Sequence, residues 1–135
     1  MSKRAFSETY DESTDEKRDM GSEAERLVAD EIGGYIEPTD GNGYDGGIDV
    51  VGPNGTLIDV KSISDPTYRL IVRTERKQYS NAEVYVLVYD GEILGALSAD
   101  EMYSREPETL WYPKPANDVH AAEQSELRDI SEYIN

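Results

Sequence analysis

The sequence predicts an α/β domain with a central mixed β-sheet of four to five strands flanked by helices. Three observations support this prediction. Apolar residues recur at helical spacing within residues 21–34, two apolar runs separated by a turn follow at residues 48–62, and residues 83–89 are almost continuously apolar. The first pattern is typical of an amphipathic helix, the second of a β-hairpin, and the third of a central strand.

The composition sets the limits of the molecule. At 135 residues the chain suits one domain with a single core. It lacks an apolar run of about 20 residues that could span a membrane, and its first residues lack the apolar stretch of a secretory signal. With no cysteine, disulfides and thiolate metal sites are excluded. We expect a cytoplasmic protein that does not associate with membranes.

The first helix is predicted within residues 21–34, after a mobile acidic arm at residues 1–19. Gly33-Gly34 is a typical helix stop. The apolar residues at helical spacing are Ala24, Leu27, Val28 and Ile32.

Residues 48–62 are predicted to form a hairpin that carries two acids and a lysine. Its strands are joined by a Pro-Asn-Gly turn. Asp59 and Lys61 project together because side chains two residues apart share a face of a strand. If Asn54 is the centre of a three-residue loop, Asp49 lies directly across from Asp59. A register shifted by one residue would separate the two acids.

Two carboxylates and an amine on one patch suit hydrolysis of a phosphodiester bond. Carboxylates can hold Mg²⁺, which activates a bound water and offsets charge on the phosphate, while a lysine can orient that water or stabilise the oxyanion. An acid-x-lysine triplet occurs three times in the chain, but only the copy at residues 59–61 lies in an apolar strand pattern after an acid-bearing strand. The alternative is a surface hairpin whose charged residues are simply solvated.

This hairpin resembles the catalytic centre of the PD-(D/E)XK nuclease superfamily. The resemblance rests on Asp49, Asp59 and Lys61, and it implies a restriction-endonuclease-like core. Two positions depart from the usual pattern, since Ile48 stands where a proline is common and the second acid is Asp rather than Glu.

The predicted first helix extends this resemblance. Residues 21–27 are similar to the first-helix pattern of archaeal Holliday-junction resolvases, in which a glutamate followed by arginine reaches the metal site; Glu25 is the matching residue. An alternative remains open, because Ser22-x-x-Glu25 also has the form of a capping box that satisfies a backbone N–H at a helix start.

A basic cluster follows the hairpin. Residues 68–73 are predicted to form a third strand and residues 74–82 a short helix. We expect this segment to contact nucleic-acid phosphates, with an ordinary solvated face as the alternative. The predicted contact residues are Arg69, Arg73, Arg76, Lys77 and Gln78.

The rest of the chain completes the predicted organisation. Residues 83–89 and 93–97 are predicted strands and residues 98–102 the start of a short helix, which gives a nuclease-like core domain at residues 20–113. Residues 114–135 are predicted to form an amphipathic C-terminal helix that packs on the core or at a homodimer contact. His120 is expected on the surface.

The formal net charge of −16 normally argues against nucleic-acid binding. Many acids with few lysines are, however, typical of proteins that work in molar salt, where the screening length is about 3 Å and distant acids repel DNA weakly. We therefore expect a halophilic, Mg²⁺- or Mn²⁺-dependent deoxyribonuclease, endonuclease rather than exonuclease, with DNA as its partner. Asp49, Asp59, the Val60 carbonyl and Glu25 are the predicted metal ligands, and Lys61 handles the attacking water.

Two other functions remain open from the sequence. The chain could be a catalytically inactive nuclease-fold module that binds nucleic acid or protein. It could also be an acidic interaction protein that mimics DNA and occupies the DNA-binding surface of a basic partner.

Overall fold

The computed structural model describes residues 15–36, 49–75, 77, 80–111 and 116–134, with side chains described from Glu23 onward. The elements in chain order are α1 (Asp15–Ile32), β1 (Tyr35–Ile36), β2 (Val50–Val51), β3 (Leu57–Ile63), β4 (Leu70–Arg73), β5 (Val84–Tyr89), β6 (Glu92–Ser98), α2 (Ala99–Tyr103), β7 (Glu108–Leu110), β8 (Asn117–Ala122) and the 3₁₀ turns Gln124–Glu126 and Ile130–Glu132. Among these described helices, none combines the length and apolar character needed to cross a bilayer.

The main sheet is mixed and has five strands in the order β1-β2-β3-β5-β6. Strands β3 and β5 are parallel, whereas the other neighbours are antiparallel. The predicted α/β class and the mixed central sheet are therefore confirmed. A second, antiparallel sheet has the order β4-β8-β7.

Both faces of the main sheet are covered. On one face, the apolar stripe of α1, including Ala24 and Val28, packs against Ile58 and Val86. On the other face, β4, β8 and α2 pack over Tyr85 and its neighbours. This two-sided burial explains why β5 is apolar along its length, and it confirms the prediction of a central strand there.

The second sheet corrects two predictions. The strand predicted at residues 68–73 exists as β4, but it pairs with β8 rather than joining the main sheet. The C-terminal amphipathic helix predicted at residues 114–135 is wrong, because residues 117–122 form β8 and two 3₁₀ turns follow. Strand β8 lies between β4 and β7 and satisfies its backbone groups on both sides, and this pairing outweighs the local helical pattern.

The predicted domain limits also shift. Residues 15–19, predicted to belong to the mobile arm, lie in α1, while residues 1–14 lie outside the described part. Because β8 is in register with β4, residues 117–122 belong to the core rather than to an appended tail. The short helix predicted at residues 74–82 falls partly outside the described residues, which include a turn at Thr74–Glu75 and position 77.

The helix α2 forms as its sequence predicts. Ser98 is its N-cap, and a capping box joins Ser98 and Glu101, whose side chains each accept a hydrogen bond from the other residue's backbone N–H. The turn between β5 and β6 contains Asp90 and Gly91, both at positive φ, so β6 folds directly back on β5.

Candidate active site

The hairpin between β2 and β3 has the register that a loop centred on Asn54 requires. Val50 pairs with Ile58 and Val51 with Leu57, and this register continued by one residue places Asp49 beside Asp59. The loop is held by hydrogen bonds from the Thr56 N–H and hydroxyl to the Asn54 side-chain oxygen. The hairpin therefore has the register in which Asp49 lies across from Asp59.

Asp49 lies where the hairpin opens. Its backbone N–H donates to the Ile58 carbonyl over 2.8 Å, and its carboxylate accepts a hydrogen bond from the Val60 N–H, also over 2.8 Å. The Val60 N–H lies beyond the two ladder pairs between β2 and β3, so the Asp49 side chain satisfies it in place of a strand. The carboxylate is thereby fixed against β3.

Asp59 and Lys61 share a face of β3, as predicted. The Lys61 ammonium lies 3.4 Å from a carboxylate oxygen of Asp59. Asp59 is only 3% exposed, which is unusual for an aspartate, and its partner holds it as a buried ion pair. Ile58 and Val60 project from the opposite face into the core against α1.

Glu25 approaches the hairpin from α1. The helix begins at Asp15, so Ser22 lies within it rather than at its start, and the capping-box alternative for Glu25 is wrong. Glu25 is half-buried beside Ala24, which packs on the sheet. Its negative charge contributes to raising the pKa of the Asp49 carboxyl.

The charge around Asp49 is not balanced. Burial and then the negative charges of Asp59 and Glu25 raise the pKa of the Asp49 carboxyl to about 9, while the Val60 N–H and the Lys61 ammonium partly oppose this shift. Without a bound cation, Asp49 therefore holds a proton at neutral pH. Ionising Asp49 as well would set its charge against those of Asp59 and Glu25 with only Lys61 to oppose them, so the ionised site favours an additional positive charge.

The donor chemistry fits a hard divalent cation, because carboxylate oxygens are the ligands that Mg²⁺ and Mn²⁺ prefer. Within the residues that the structure describes, however, no group of three or more His, Cys, Asp or Glu side chains is arranged to hold an ion. Asp49 and Asp59 are the pair that could share one. The roles predicted for Glu25 and for the Val60 carbonyl as ligands stay predictions.

Of the residues predicted to contact nucleic acid, the structure describes two arginines in ion pairs and one exposed lysine. Arg69 forms an ion pair with Glu108 over 3.0 Å, and Arg73 pairs with Glu75 over 2.8 Å. Lys77 is exposed. Arg76 and Gln78 lie outside the described residues.

Tyr85 is a neighbour of the site that the sequence analysis did not identify. It is the register partner of Asp59 in the parallel β3–β5 pair and is fully buried. Nothing in the local sequence indicates that Tyr85 neighbours Asp59, because parallel pairing between distant strands leaves no local pattern. His120 is also buried, contrary to expectation; its Nδ1 hydrogen-bonds with the Arg105 carbonyl over 2.9 Å.

Comparison with known proteins adds no relative. No protein-family model, curated protein or solved structure matches this chain.

Proposed function

We propose that this chain is a metal-dependent nuclease that hydrolyses DNA phosphodiester bonds, on a restriction-endonuclease-like core. The observation that carries the proposal is the meeting of Asp49, Asp59 and Lys61 at the open end of the hairpin, with Glu25 acting on the same point. Burying acids that repel each other destabilises the metal-free fold, and a buried carboxyl with a strongly raised pKa, such as that of Asp49, is typical of a functional site.

Each residue of the site has a distinct role in the proposed hydrolysis. A Mg²⁺ or Mn²⁺ ion held by Asp49 and Asp59 would lower the pKa of its water and offset charge on the phosphate. Lys61, fixed by its ion pair with Asp59, orients the attacking water or donates a hydrogen bond to the phosphate oxygen that gains charge. The Val60 N–H holds the Asp49 carboxylate in place. Glu25 is close enough to influence the proton held at Asp49.

One such site cuts one strand. Cleavage of both strands of a duplex would therefore require a homodimer or two successive encounters. The proposed partner is DNA, and the proposed setting is a cytoplasm of high salt, where the net charge of −16 is strongly screened.

The test is a cleavage panel of branched, single-stranded and duplex DNA in multimolar KCl with Mg²⁺ or Mn²⁺. Asp59→Asn and Lys61→Ala should each lower the cleavage rate by about two orders of magnitude or more, because each removes a group that acts on the transition state. Asp30→Asn, an exposed position on α1, is the matched control and should cleave normally. An unchanged metal-dependent rate in Asp59→Asn would refute the assignment.

One observation favours a second candidate, a catalytically inactive nuclease-fold binding module. Among the described residues, no three His, Cys, Asp or Glu side chains are arranged so that they could hold one metal ion. Calorimetric titration with Mn²⁺ separates the candidates, since the enzyme should bind the ion and lose that binding in Asp49→Asn, whereas the module should bind DNA without the ion. A DNA-mimicking acidic protein would bind a basic protein and no DNA, even in high salt.

A further inference from the structure

Most of the described basic side chains are already neutralised by a carboxylate within the protein. The ion pairs are Lys61–Asp59, Arg69–Glu108, Arg73–Glu75, Arg105–Glu126 and Arg128 with both Glu101 and Glu132. Arg26 and Lys77 differ, because neither forms an ion pair within the described part of the chain. With 29 acidic residues in the sequence, a shortage of carboxylates does not explain this.

Lys77 is held by an aromatic ring instead of a carboxylate. Its ammonium lies 5.9 Å from the centre of the Tyr103 ring. A cation–π contact restrains the lysine through the ring quadrupole, but it leaves the full positive charge available to an anion. An ion pair with an acid would cancel that charge.

The ring that holds Lys77 is itself fixed in place. The Tyr103 hydroxyl hydrogen-bonds with the Tyr85 hydroxyl over 2.9 Å, and the two rings meet edge to face at 6.2 Å. A second edge contact, with His120 at 5.2 Å, supports Tyr103 from β8. Aromatic pairs of this kind limit the orientations open to each ring.

This support connects Lys77 to the candidate active site. Tyr85 is the register partner of Asp59 in the parallel β3–β5 pair, and paired residues in a sheet project from the same face. Asp59, Lys61 and the tyrosine pair therefore lie on one side of the main sheet. Lys77, whose ammonium lies over the Tyr103 ring, is exposed to solvent.

We propose that Lys77, positioned by Tyr103, binds a backbone phosphate of the DNA strand beside the bond that is cut. This inference rests on the proposed nuclease function and names the substrate contact. In molar salt only close charges act, so an uncancelled ammonium that contacts DNA contributes more than ion-paired arginines. Arg69 and Arg73, which were predicted to share this role, contribute little because Glu108 and Glu75 already balance them.

The experiment measures the affinity of the full-length protein for fluorescently labelled DNA by anisotropy, over a series of KCl concentrations, with Ca²⁺ in place of Mg²⁺. Lys77→Gln should weaken binding by about 5- to 10-fold at the lowest salt concentration that keeps the protein folded. It should also reduce the slope of log K against log salt by about 1 for duplex DNA. Arg105→Gln removes a charge already paired with Glu126 and should change affinity by less than about 2-fold.

A second variant tests the ring. Tyr103→Leu removes the contact with Lys77 and should weaken binding in the same direction, and combining it with Lys77→Gln should add little further loss. Melting temperatures check that each variant is folded. If Tyr103→Leu is unfolded, the affinity and salt slope of Lys77→Gln alone decide the proposal.

The outcomes separate the two proposals. If the wild type binds DNA and Lys77→Gln matches it in affinity and slope, the Lys77 proposal is overturned and the nuclease function is untouched. If Lys77→Gln weakens binding but no metal-dependent cleavage occurs, the phosphate contact stands and hydrolysis is overturned. If the wild type binds no DNA at any salt concentration, both are overturned.

Discussion

Replacing Asp49 with asparagine should stabilise the metal-free protein, and the gain should grow as pH rises. Burial and the charges of Asp59 and Glu25 raise the pKa of the Asp49 carboxyl from 3.8 to about 9. Between these values the native state binds more protons than the unfolded state, so the free energy of unfolding falls as pH rises. Asparagine carries no charge, and its oxygen can still accept the Val60 N–H.

The magnitude follows from the pKa shift. From pH 3.8 to pH 7 is about 3 units at about 1.4 kcal/mol each, which gives about 4 kcal/mol as the upper limit of the gain at pH 7. Water entering the site and movement of the side chain lower the measured value, and we expect about 1–3 kcal/mol. At pH 4 and below, Asp49→Asn and the wild type should have nearly equal stability.

The assay is denaturant unfolding in high KCl with a chelator, at several pH values, for the wild type, Asp49→Asn and the exposed control Asp30→Asn. The other acids contribute equally to the pH dependence of stability in each variant, so their contribution cancels when variants are compared at the same pH. A stability difference between Asp49→Asn and the wild type that stays flat from pH 4 to pH 9, or a loss of stability in Asp49→Asn throughout, would refute the unbalanced-charge reasoning. Adding Mn²⁺ should stabilise the wild type more than the variant, because the ion binds the native site.

Two further predictions concern the fold and its solvent. Gly95→Ala should destabilise the protein by about 1–3 kcal/mol in denaturant unfolding, because a Cβ there would lie 2.5 Å from the Leu127 Cβ. Gly91→Ala also places a side chain at positive φ but meets open space, so it should cost less, and equal losses would contradict the packing argument. Diluting KCl from multimolar to about 0.1 M should lower the melting temperature, since the net charge of −16 is then poorly screened, and a melting temperature independent of KCl would contradict the halophilic interpretation.

The hairpin shows how much of the site local sequence can predict. The Pro-Asn-Gly turn limits the register to a few choices, and strand alternation places Asp59 and Lys61 on one face. Both features depend on neighbours in the sequence. For Glu25 the local sequence fits two roles, because Ser22-x-x-Glu25 has the form of a capping box, whereas the helix begins at Asp15 and leaves Glu25 within it.

The basic cluster and the C-terminus show where local sequence fails. Arg69 and Arg73 look like phosphate contacts in the sequence, but Glu108 and Asn117, about 40 residues away, engage them in the folded chain. Likewise the apolar residues near the C-terminus suit a helix by spacing, yet β4 required a partner strand and β8 supplies it. No local pattern records either contact.

The class of the domain, the central strand and the hairpin that carries two acids and a lysine can all be predicted from local sequence. These features follow from turn chemistry and from apolar periodicity, which act over a few residues. Three features become visible in the folded chain alone: which basic side chains lack an ion pair, that Tyr85 lies beside Asp59, and that the pKa of the Asp49 carboxyl is raised. Each of these depends on burial and on charges brought together from distant segments, because desolvation and Coulomb interactions arise only when the chain is folded.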